Sequence, residues 1–92
     1  MTIRTATKVT GSTPDHKIGF TRVFDAKTDQ QVGIVRWSFT NDGMRCIRTS
    51  VEVEMVTGTV QDFSGTDFVT QFSAATAWAD AFAARHIKGV TV

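Results

Sequence analysis

The 92 residues include one cysteine, one proline and two histidines, and each scarcity removes a class of protein. Cys46 has no second cysteine to join, so the chain is not a disulfide-stapled scaffold. His16 and His86 are too widely separated to suggest a zinc site, and neither a metal nor a cofactor is expected. No apolar run approaches the roughly 20 residues that a spanning helix needs, which excludes insertion of a helix into a membrane. The opening MTIRTATKVTG lacks the apolar centre of a secretory signal, so a cytoplasmic location is expected. A formal net charge of +1 rules out a broadly basic nucleic-acid binder but leaves room for a local basic patch. No internal repeat, low-complexity linker or catalytic signature is found, and residues 1–92 read as one domain.

What is present is alternation. In VRWSFTNDGMRCIRTSVEVEM, a three-residue loop of Asn41, Asp42 and Gly43, with Gly43 in a left-handed conformation, sets Trp37 opposite Ile47 and Val35 opposite Thr49. Val35, Trp37, Phe39, Ile47, Val51, Val53 and Met55 then share one face. A two-residue turn would put Trp37 opposite Arg48 and mix the faces. Upstream, FDAKTDQQV reads as a hairpin with a four-residue loop, residues 26–29, in which Asp29 tolerates a positive φ. That loop predicts Phe20 opposite Val35 and Ile18 opposite Trp37, with Arg22 as the one misfit, opposite Gly33. Across the loop GSTPDH, a first strand would place Val9 beside Ile18 and Ile3 beside Phe24.

The C-terminal third admits two readings. Residues 66–72 form a fifth strand, followed by a helix over about 73–87 with Ser73 as N-cap, because Asp-Phe-Val-Thr is poor helix material. Alternatively one long helix carries Phe68, Phe72, Ala75, Ala79, Phe82 and His86 at the helical period. The first reading is preferred. Both stack Trp78 on Phe82, four residues on, bury the pair against the sheet or a partner's sheet, and end the helix before Gly89. The expected fold class is α+β: an antiparallel β-meander of four to five strands (about 2–10, 17–25, 31–40, 44–60 and 66–72) with one C-terminal α-helix on its apolar face.

These registers line up Lys8, Gly19, Arg36 and Arg48 as one row of the polar face. Like charges facing each other in a sheet are destabilising, so an anion between Arg36 and Arg48 would relieve the pair. Neighbouring positions supply Ser38 beside Cys46, and Thr21, Ile34 and Ser50, with Glu52 and Glu54 as a boundary. Lys8, Thr21, Arg36, Ser38, Arg48 and Ser50 are therefore the candidate nucleic-acid contacts, while a solvated charged face is the plain alternative. Aromatics for stacking bases are not expected on that face. Cys46 lacks a histidine base and reads as structural, and no catalytic residue is expected. Arg22, Trp78 and Phe82 are candidates for a partner interface. One helix of about four turns cannot cover a five-stranded sheet about 24 Å wide, so a dimer or larger assembly is expected.

The threonine-rich meander running through NDG into RTSVEVEMV, and then SAATAWADAFAARHI, resembles the coat proteins of small single-stranded RNA phages. The resemblance implies a non-enzymatic structural protein, located in the host cytoplasm and the virion, that assembles with itself and turns its sheet toward RNA. Residue by residue it extends only to Arg36, Ser38, Arg48 and Ser50; the family has two C-terminal helices where this chain offers one. The ending FSAATAWADAF is also similar to the small DNA-binding arm domain of tyrosine recombinases. A small accessory or inhibitor protein that covers a protein partner is the third class open to this sequence.

Overall fold

The computed structural model describes residues 3–42 and 45–87. Five antiparallel strands form one meander in the order β1-β2-β3-β4-β5: β1 Ile3–Ser12, β2 His16–Asp25, β3 Gln31–Asp42, β4 Arg45–Met55 and β5 Val60–Asp62. A single helix, α1 (Phe68–His86), follows and packs on β4 and β3. The α+β meander with a C-terminal helix is therefore the fold.

The β2–β3 loop forms where the sequence places it. Asp25 N–H donates to the Gln30 carbonyl at 2.8 Å, and Asp29 takes φ 62°, as its short side chain allows. Asp25 is fully buried there, and its carboxylate accepts from Lys27 N–H at 3.2 Å and the Thr28 hydroxyl at 2.9 Å. Immediately afterwards β3 carries a bulge: Phe24 pairs with Gln31 and Val23 with Gly33, leaving Val32 over. One extra residue reverses every β2 side chain. Thr21 faces Val35, Gly19 faces Trp37 and Phe20 faces Arg36, not Val35.

β1 is also offset by one from expectation. Val9 pairs with Gly19 and Ile3 with Asp25, and a bulge at Thr10 precedes the turn in which Thr13 and His16 exchange backbone hydrogen bonds. Ile3 and Val9 still point to the helix side, so β2 alone is turned over.

Between β3 and β4 the apolar parity is as expected except at Ile47, which is 46% exposed and not on the buried face, and the partners are four residues away. Trp37 pairs with Val51 and Val35 with Val53, and the shift between Thr40 and Asn41 leaves Ile47 unmatched. Pairing continues to Asp42 and Arg45, so the expected three-residue loop is replaced; the left-handed Gly43 and the stop at Gly89 lie outside the described residues. The three-residue hairpin loop occurs one connection later instead. Within the span 44–60, read as one strand, the chain turns at Val56, Thr57 and Gly58, with Gly58 at φ 94°. Met55 N–H reaches the Thr59 carbonyl at 2.8 Å, and Gly58 N–H reaches the Met55 carbonyl at 2.9 Å.

Residues 66–72 are not a strand. Asp67 is the N-cap of one long helix, and Gln71 N–H closes its first turn on the Asp67 carbonyl at 3.1 Å. Packing overrides the poor local propensity. Phe68 sits edge-on to Trp37 at 5.3 Å and against Phe39 at 4.8 Å, while the β-branched Val69 stays 70% exposed. The helix buries a stripe of small side chains, Ala75, Ala79 and Ala83, all at 0% exposure, which lets it lie close over Val35, Val51, Val53 and Met55. Trp78 and Phe82 stack at 5.1 Å as expected but are only half-buried, with Phe63 edge-on to Trp78 at 6.1 Å.

Candidate functional site: the open face of the sheet

The face opposite α1 is formed mainly by even-numbered residues of β1 to β4, with Val60 and Asp62 of β5 at its border, and no helix lies over it among the described residues. Its rows follow from the observed pairing: Ala6, Arg22, Ile34, Glu54; then Lys8, Phe20, Arg36, Glu52; then Ile18, Ser38, Ser50; then His16, Thr40, Arg48. The expected row of Lys8, Gly19, Arg36 and Arg48 does not form. Arg36 faces a carboxylate instead of a second guanidinium, and it donates to Glu54 at 2.8 Å with Glu52 at 3.9 Å. Arg48 stands beside Thr40 at the far end and makes no ion pair among the described residues.

Thr21 is removed from the candidate contacts, because the reversal of β2 takes it to the helix side. It is fully buried there, receives Trp37 Nε1–H at 3.1 Å and shares a 2.8 Å hydroxyl bond with Thr7. Ser38 and Ser50 do lie on the open face, directly opposite one another, so Ser38 does not pair with Cys46. Cys46 contacts the Thr49 hydroxyl at 3.2 Å.

The same reversal delivers residues that sequence reasoning assigned to the core. Ile18, Phe20, Arg22 and Phe24 belong to the open face, which accordingly has the aromatics it was expected to lack. The Arg22 guanidinium lies 5.1 Å from the Phe20 ring centre, and that of Arg4 lies 4.2 Å from Phe24 while also pairing with Asp29. Arg22 is thus exposed on the open face and is no misfit in the core. A shallow concavity of about 390 Å³ opens on this surface, with Ile18, Phe20 and Ile34 supplying apolar wall and Ser38, Ser50 and Arg36 the polar wall. The signal that would have located these residues was Arg22 itself, a charge forced opposite Gly33 in an otherwise apolar set.

Charge is divided across this face. Arg4, Lys8 and Arg22 occupy β1 and β2, and Glu52, Glu54 and Asp62 occupy β4 and β5, with Glu52 paired directly to Asp62. Arg36 stands between and neutralises part of the acidic side. Its ion pairs are about half exposed, so Arg36→Ala is expected to change stability by no more than roughly 1 kcal/mol; a larger drop in a urea titration would mean that the network is structural. Among the described residues no group of three His, Cys, Asp or Glu side chains is placed to hold a metal ion, and no helix is long and apolar enough to cross a membrane. Comparisons with protein-family models, with curated proteins and with solved structures gave no match.

Proposed function

We propose that this chain is a non-enzymatic, self-associating structural protein, coat-like in character, whose open sheet face contacts single-stranded RNA. The observation that carries the reading is the β1–β2 half of that face, where Phe20 and Phe24 each lie beside a guanidinium and Lys8 is paired with Phe20. Aromatic faces stack bases without regard to sequence, and adjacent cations hold the phosphates that follow them along a strand. The contacts move from the Arg36 and Arg48 row to Lys8, Arg22, Phe20 and Phe24; Arg36 is already neutralised, and Arg48, with Ser38 and Ser50, stays available at the end of the surface. Support for a structural role is architectural: α1 packs on β4 and β3, while on the helix side of β1 Thr5, Thr7 and Val9 are exposed and free to meet a neighbour.

The test is binding of a fluorescent, unstructured RNA oligonucleotide at a series of salt concentrations. Lys8→Ala and Arg22→Ala are each expected to flatten the logarithmic salt slope by about 0.7. Phe20→Ala should weaken binding by about 1–3 kcal/mol with the slope retained. Wild-type protein that shows no salt-dependent binding at low ionic strength overturns the RNA contact. A second reading, a protein partner on the same face, is favoured by the acidic strip of Glu52, Glu54 and Asp62, which repels phosphate. That partner would bind unchanged when RNA does not bind at all.

A further inference from the structure

The two borders of the sheet are unlike. At the β5 border the strand is three residues long, and the chain then crosses toward the helix; Thr49 N–H bonds the Gly65 carbonyl at 2.8 Å and Gly65 N–H returns to Thr49 at 3.0 Å, closing the outside of β4. At the other border β1 is ten residues long, and no strand lies beyond it among the described residues. A long border of unpaired N–H and C=O groups is a template for another strand, and proteins usually blunt it with short length, charged side chains, proline or a bulge. The run from Ile3 to Val9 is neither short nor interrupted: its bulge comes only at Thr10, the proline is at position 14, and its two charges, Arg4 and Lys8, both point to the open face, where they restrict which register can form without closing the edge. On the helix side, where α1 sits over β3 and β4, Val9 is left 51% exposed.

We propose that β1 is the self-association edge, joined by β1 of a second copy in antiparallel pairing about a two-fold axis at Thr7. A strand edge is complementary to itself under such an axis, which is why the occupant is another copy of this chain. Length and charge together select the register: an axis at Thr5 or Val9 pairs only residues 3–7 or 6–12 of β1, whereas one at Thr7 pairs residues 3–11. An axis at Ala6 sets Arg4 against the second copy's Lys8, and an axis at Lys8 sets that residue against itself; both place like charges face to face. An axis at Thr7 puts Lys8 opposite Ala6, Arg4 opposite Thr10 and Val9 opposite Thr5, with no like pair. A displacement by one residue instead puts Val9 beside Arg4 and mixes the faces. In the chosen register both helices lie on one side, and the open faces of the two copies form one continuous surface. The inference rests on the self-association half of the proposed function and is independent of the RNA half.

The experiment is sedimentation velocity on the full chain at micromolar concentration, with Thr7→Lys, Thr7→Glu and their equimolar mixture. Wild type is expected to sediment as a dimer or larger. Each variant alone should associate roughly fivefold or more weakly, since its charge meets its own copy at the axis, and the mixture should restore the wild-type species. Full-strength association of both variants alone overturns the β1 edge while leaving self-association standing; a monomeric wild type overturns both. Should the Thr7 variants fail to fold, Ala6→Glu and Ala6→Lys decide. The first gains a partner in the second copy's Lys8 and should tighten the dimer, the second should loosen it, and equal affinities refute the edge.

Discussion

Trp37→Ala is expected to remove about 3–5 kcal/mol of stability, the usual cost of truncating a buried large aromatic and most of what a domain of this size possesses. Trp37 is 6% exposed and joins both halves of the core. Its ring stacks on Phe39 at 6.1 Å, receives Phe68 edge-on at 5.3 Å, and so ties the first turn of α1 to the sheet. Its N–H fixes the Thr21 hydroxyl at 3.1 Å, holding β2 in its reversed orientation. Circular dichroism during urea unfolding should show no folded baseline, or a transition near zero denaturant. Trp37→Phe keeps most of the apolar contact, leaves Thr21 bonded to Thr7 and should cost about 1 kcal/mol for the lost hydrogen bond, with some additional loss of packing. An alanine variant as stable as wild type would mean that Phe68 and the helix do not rest on this ring.

The contrast between Trp37 and Trp78 shows what alternation reveals and what it hides. Parity told which of Val35, Trp37, Val51, Val53 and Met55 point inward, and all five are buried. Parity is unchanged when a register moves by four, so it left the β3–β4 partners undetermined; the extra Ile47 set them. It fails altogether at a one-residue bulge. Val32 and Thr10 are such residues, and neither has a side chain that announces it. Two clues did exist, Arg22 among apolar neighbours and Gly33 inside a strand, where glycine often marks a bulge. For the helix, the 3.6-residue recurrence from Phe68 onward was the correct signal, and local propensity was the misleading one, because the energy of Phe68 against Trp37 and Phe39 is non-local.

The candidate surface was legible in part for the same reason. Lys8, Ser38, Arg48 and Ser50 lie on strands whose parity was read correctly, and they reach the open face. Thr21, Phe20, Arg22 and Phe24 lie on the reversed strand, and each changed sides. Arg36 was placed on the correct face with the wrong neighbour, which changed its chemistry from an unpaired cation to the centre of an ion-pair network.

Gly19→Ala is the second substitution with a large expected effect, and it tests the reversal of β2 directly. In the observed register Gly19 pairs with both Val9 and Trp37, and the indole lies over it. A Cβ built there would stand 2.5 Å from the Lys8 carbonyl oxygen and 2.7 Å from Cζ2 of Trp37. Neither obstacle is the free end of a flexible side chain: one is strand backbone, the other a ring fixed by Thr21, Phe39 and Phe68. The added methyl must therefore part β1 from β2 or lift the indole, and overpacking of this kind costs typically 1–3 kcal/mol or more. Both responses have a signature. Separation of β1 exposes its amides to rapid hydrogen exchange, while displacement of Trp37 lowers the unfolding midpoint and shifts the indole N–H resonance away from its hydrogen-bonded position. In the alternative orientation, with Phe20 and Ile18 turned inward, position 19 faces open solvent beside Lys8, and alanine there stabilises the strand slightly by reducing the freedom of the unfolded chain. A Gly19→Ala protein that melts at or above the wild-type midpoint would return β2 to that orientation and take Phe20, Arg22 and Phe24 off the open face.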